Sequence, residues 1–111
     1  MRLLTPTDFK RVFQKPSRVA DRQFTVLARA SVSDSPARLG LAIAKKQARR
    51  AVDRNRLKRL IRETFRHQQA ALAGYDFVVM TRTTGRGADN ERLRASLQRL
   101  FMKAIEANQR G

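Results

Sequence analysis

The chain has 111 residues, with 25 Lys and Arg against nine Asp and Glu, a formal net charge of +16 and a pI near 11.9. Its length fits one domain, read here as residues 1–111, and its 41% hydrophobic content can supply one core. With no cysteine, disulfides, thiolate metal sites and thiol catalysis are excluded.

The opening MRLLTPTDFK carries no apolar export signal, so the chain is expected in the cytoplasm. Residues 5–15 read as a short helix. Thr5 can cap it, Pro6 suits the first helical position and Asp8 sits three residues after the cap. Phe9 and Phe13 share one face at i,i+4, beside Val12, and such a pair ordinarily belongs to a core. Pro16–Asp21 reads as a connection. Gln23–Val32 alternates as a strand, with Phe24, Val26 and Ala28 on one side and Thr25, Leu27 and Arg29 on the other. A turn cluster follows at Ser33–Pro36. Arg38–Ala44 is a second strand, with Leu39, Leu41 and Ile43 facing one way. Gly40, Ala42 and Ala44 face the other, where something bulky must pack close. These two strands are expected to pair as a hairpin.

Next comes a helix over about 49–70, with Gly74 as its left-handed cap, and then an apolar strand, Tyr75–Arg82. Strand, helix, strand implies a parallel pair in one sheet. Thr83–Ala88 reads as a loop, and residues 89–108 as a last helix with Leu93, Leu97, Leu100, Phe101, Ala104 and Ile105 on one stripe. The expected order is α-β-β-α-β-α, a single α+β domain.

The charge is concentrated in one stretch, Lys45 to Arg66. Ten basic residues stand there against Asp53 and Glu63, leaving +8, half of the net charge. On a helix, Leu57, Leu60, Ile61 and Thr64 fall on one face with Phe65 at its edge. Asn55, Arg59, Arg62 and Arg66 fall opposite, flanked by Arg56 and Lys58, while Arg54 lies nearer the buried side. Solvated charge faces usually mix signs at i,i+4; this one hardly does, so its repulsion calls for a polyanion partner. An anionic membrane surface fits less well, because strands before and after the helix can cover its apolar face.

No catalytic group of the chain's own stands out. The one histidine, His67, follows Arg66 at the end of the basic helix, without an evident orienting partner. The acidic residues are scattered over every element, and neither a carboxylate pair for metal ions nor a nucleophile elbow appears. No catalytic and no metal-ligating residue is therefore expected.

With its flanks, the basic stretch resembles the protein component of bacterial ribonuclease P. The resemblance rests on Arg54-Asn55-Arg56 inside AVDRNRLKRLIRETFR, on RLLTPTDFKRVF, on RLGLAIAKK and on YDFVVMTR, and it spans nearly the whole chain. It implies a ribozyme cofactor. The catalyst would be a large RNA that cleaves precursor tRNA to the mature 5′ end, with Mg²⁺ held mainly by that RNA. The partners implied are ribonuclease P RNA and precursor tRNA, with no membrane and no required protein oligomer. By position, Lys45, Lys46, Arg49, Arg54, Asn55, Arg56, Lys58, Arg59, Arg62 and Arg66 match the surface that binds the catalytic RNA. Phe9 and Phe13 match the aromatics of a cleft that grips the 5′ leader. Leu27, where several members carry an aromatic, and Arg82 complete that cleft. The resemblance also implies a small mixed sheet with a left-handed βαβ crossover around the basic helix, whereas such connections are almost always right-handed. Composition alone equally permits a structural RNA-binding protein of ribosomal type with no role in cleavage.

Overall fold

The computed structural model describes residues 2–31, 36–43, 50–82 and 89–110. In chain order the elements are β1 (Arg2–Leu3), α1 (Pro6–Gln14), β2 (Ser17–Ala20), β3 (Phe24–Ala30), β4 (Arg38–Ala42), α2 (Ala51–Gln68), β5 (Tyr75–Thr81) and α3 (Asn90–Arg110). One mixed sheet runs β1-β4-β5-β3-β2. The pair around α2, β4 and β5, is parallel, while β5–β3 and β3–β2 are antiparallel.

The sheet has two working faces. Phe24, Val26, Ala28, Leu39, Phe77 and Val79 point toward α2 and α3 and form the main core with Leu57, Ile61, Phe65, Leu97 and Phe101. Phe65, Phe77 and Phe101 meet edge to face, with ring centroids 5.4 to 5.9 Å apart. Each such contact adds about 0.5–1.5 kcal/mol beyond area burial. The opposite face packs a smaller cluster, Leu4, Val12, Leu27 and Val78, under α1. The expected alternation of β3 and β4 holds, as does the buried stripe of α3.

Three expectations are corrected. The strands at 24–30 and 38–42 do not pair; β5 lies between them. Its sequence explains the choice. Phe77 and Val79 serve one core and Val78 the other, so β5 is apolar on both faces and takes the centre, where both faces are covered. Pro16–Asp21 is not merely a connection. Ser17–Ala20 forms edge strand β2, whose half-exposed pattern gives little apolar signal. Strand β1, two residues beside β4, is too short to show periodicity. Gly74 does take the left-handed conformation (φ 89°), but α2 ends at Gln68, so Gly74 closes the turn before β5.

Helix α1 begins as expected. The Thr5 hydroxyl accepts from the Asp8 amide and the Asp8 carboxylate accepts from the Thr5 amide, a reciprocal capping box with Pro6 at the first position. Among the described residues, no helix is long and apolar enough to cross a membrane.

Candidate nucleic-acid interface

Helix α2 divides as its sequence requires. Leu57, Leu60, Ile61, Thr64 and Phe65 are buried, and the Thr64 hydroxyl donates back to the Leu60 carbonyl at 2.8 Å. Asn55, Arg56, Arg59 and Arg66 are exposed; Arg54, Lys58 and Arg62 are half-buried. Lys58, Arg62 and Arg66 follow one another at i,i+4, an arrangement of like charges that weakens a helix by a few tenths of a kcal/mol per pair. The repulsion persists because the other face is locked into the core. Arg56 also reaches Asn90 at the start of α3 (3.4 Å), and Arg94 approaches Glu63 at 3.9 Å. Asn55, Lys58, Arg59, Arg62 and Arg66 thus line one surface, broken by a single carboxylate, Glu63. Lys45, Lys46 and Arg49 lie outside the described residues. His67 is exposed in the last helical turn, where a cation would suit the helix dipole.

The second surface is the sheet face beneath α1. Its register gives two cross-strand rows, Arg18–Leu27–Val78–Gly40 and Ala20–Thr25–Met80–Ala42. Phe9 lies over Gly40. A Cβ added there would stand 2.5 Å from Phe9 Cζ and 3.0 Å from Leu4 Cδ1, so the bulky neighbour that the small residues of β4 demanded is this ring. Phe9 and Phe13 stack with centroids 6.5 Å apart and an interplanar angle of 17°. Phe9 is half-buried, but Phe13 is 48% exposed. Leu27 is only 3% exposed, packed beneath Val12 with Val78. Arg82, exposed just past β5, donates to the Asp21 carbonyl at 2.9 Å. It lies six residues beyond Asp76 along β5, roughly 20 Å by strand rise. The Leu27–Val78–Gly40 row beneath Phe9 crosses the middle of β5, and Arg82 lies four residues beyond Val78, roughly 13 Å along the strand direction.

The two surfaces meet. A shallow groove is lined by Leu4, Phe9, Gly40 and Leu41 on one side and by Lys58 and Arg62 of α2 on the other. Arg18 is a basic residue of this face that the sequence reading passed over. Recognising Ser17–Ala20 as a strand paired with β3 would have placed it beside Leu27.

Charged groups also fix α1 to the sheet. Arg38 on β4 forks onto Asp76 on β5 (Nε to Oδ1 2.9 Å, Nη2 to Oδ2 2.7 Å) and donates to Asp8 at 2.8 Å. Arg11 of α1 donates to the same Asp76 at 2.6 Å. The Thr5 hydroxyl bond, outweighing the cost of partial desolvation, acts with the Thr5 amide and the Arg38 charge to hold the Asp8 carboxyl below its ordinary value. Bonding to Asp76 likewise raises the Arg38 guanidinium above its own.

A Gly40→Ala variant tests the close approach of Phe9. It is expected to cost about 1–3 kcal/mol in stability through overpacking. Ring-current shifts of the Phe9 protons should change with it. An unchanged unfolding midpoint would mean that Phe9 moves aside freely.

A surface so one-sidedly cationic, on a fold with a covered core, is that of a polyanion-binding protein of the α+β class. The sequence pattern of the family described as Ribonuclease P matches residues 1–105. The chain is 52% identical to the ribonuclease P protein component of Thioalkalivibrio sulfidiphilus over 103 residues, covering 93% of this chain and 85% of that protein. It is 47% identical to the one from Histophilus somni over 110 residues, covering 99% and 92%. Among solved structures, a Staphylococcus aureus RNase P protein mutant with defective mRNA degradation activity superposes with a TM-score of 0.85 at 31% identity, covering 94% of this chain and 87% of that one. The RNase P protein from Thermotoga maritima gives 0.78 at 30% identity, covering 93% and 96%. The chain belongs to the ribonuclease P protein family, the protein component of a ribonucleoprotein endoribonuclease.

Proposed function

We propose that the protein serves its ribonucleoprotein through two surfaces. The outer face of α2 binds ribonuclease P RNA, and the sheet face beneath α1 holds the 5′ leader of precursor tRNA. The observation that carries the second assignment is Phe13, half-exposed and stacked on Phe9. A base of a single-stranded leader can stack on such a ring for about 1–3 kcal/mol with little sequence preference, which suits an enzyme that processes many leaders. Lys58 and Arg62, across the groove from Phe9, offer cations to the leader phosphates where they pass toward α2. Arginine forks on Arg54, Arg56, Arg59 and Arg66, with Asn55 and the approach residues Lys45, Lys46 and Arg49, suit paired phosphate oxygens of a folded RNA. The reading leaves cleavage to the RNA and its Mg²⁺ ions, and sets it in the cytoplasm.

The test is cleavage of precursor tRNA by a bacterial ribonuclease P RNA at low Mg²⁺, with and without this protein. Cleavage at the mature 5′ end should be stimulated only when both are present; tight RNA binding without stimulation would demote the chain to a structural RNA binder. In the same holoenzyme, Phe13→Ala should weaken precursor affinity by about 5–150-fold and leave mature tRNA affinity unchanged. Equal loss for both would return Phe13 to a folding role.

A further inference from the structure

Among the described residues, Asp76 is the one charged side chain that is buried outright. It sits on the central strand at a sheet end, facing α1, and accepts from two arginines and from the Ser31 hydroxyl (3.2 Å). Buried ion pairs often stabilise no better than well-packed apolar side chains of the same volume. What such a group does supply is fixed geometry, and α1 needs it. The helix has nine residues and one fully buried side chain, Val12. Helices that short are marginal on their own, and Val12 with the half-buried Phe9 gives α1 only two apolar contacts on the sheet.

We propose that Asp76 and Arg38 are positioning residues of the leader site. The chain of bonds Asp8–Arg38–Asp76–Arg11 grips α1 at two points that bracket Phe9. It thereby sets where the Phe9 and Phe13 rings stand above the sheet. A ring displaced by an ångström no longer meets a stacked base squarely, so this grip is felt in precursor binding rather than in the RNA interface on α2. The inference rests on the leader occupying this face.

The experiment uses reconstituted holoenzyme with Asp76→Asn. This substitution keeps the shape, removes the charge and turns an acceptor into a donor facing two guanidinium groups. Affinity for precursor tRNA should fall about tenfold, while affinities for mature tRNA and for ribonuclease P RNA stay as in the unmodified protein. Asp8→Asn, which leaves both arginine bonds to the buried Asp76 in place, should give a smaller loss in the same direction. A merely structural role predicts parallel loss of all three affinities, and that result overturns the proposal. Should Asp76→Asn fail to fold, Asp8→Asn and Arg11→Met decide: selective precursor loss supports the positioning role and unchanged precursor affinity in both overturns it. Phe13→Ala run alongside separates the two ideas. If it loses precursor affinity and the grip variants do not, this inference alone fails; if none does, the leader site itself fails.

Discussion

Phe77→Ala is expected to remove about 3–5 kcal/mol of unfolding free energy, a large part of what a domain of this size possesses. Phe77 has no exposed surface and stands on the central strand, touching Phe65 of α2 and Phe101 of α3 edge to face. No other ring is near enough to refill the space, since Tyr75, its remaining aromatic neighbour (6.3 Å), is half-buried at the strand's start. The measurement is urea unfolding followed by circular dichroism. Urea is preferred to guanidinium, whose ions would also screen a +16 chain. Phe77→Leu should cost much less, because it keeps most of the apolar volume. A loss below about 1 kcal/mol for the alanine variant would mean that the cluster can collapse around the gap, and that α2 is held mainly by its other contacts.

The second large effect concerns charge. Arg59→Ala with Arg62→Ala should lower the slope of log affinity against log salt by about 1.4–1.8 for ribonuclease P RNA, since each phosphate contact contributes about 0.7–0.9. The structure distinguishes the two positions. Arg59 is exposed on the outer face, whereas Arg62 is half-buried and also lines the groove beside Phe9. Arg59→Ala alone should therefore affect RNA binding, and Arg62→Ala should weaken precursor binding as well. Filter binding or calorimetry at four or five salt concentrations measures both. A slope that does not change in the double variant would place this face outside the RNA interface.

Much of this architecture could be read from residue order. The capping signal Thr5-Pro6-Thr7-Asp8 gave the start of α1, and the spacing of Leu57, Leu60, Ile61 and Phe65 gave the inward side of α2. The small residue at position 40 gave a close approach, though not its partner. Pairing was less legible. Two alternating strands separated by a turn cluster read as a hairpin, because local signals cannot reveal that a later, doubly apolar strand will come between them. The candidate site divides in the same way. Charge pattern marked α2, but Asp76 and Arg38 stand 38 residues apart in sequence and become partners only through the parallel register of β4 and β5. The i,i+4 spacing of Phe9 and Phe13 could not say that one ring covers a glycine while the other meets solvent.

The sheet order also governs how the chain comes together during synthesis. Strands β3 and β4 share no edge; each is completed only by β5, whose first residue is Tyr75. Until the ribosome has made roughly the first two thirds of the protein, no central strand exists and α2 has no complete surface on which to bury Leu57, Ile61 and Phe65. The most cationic part of the chain is thus released before the layer that gives it shape. Its shape is acquired only when the last third of the chain closes the sheet from within.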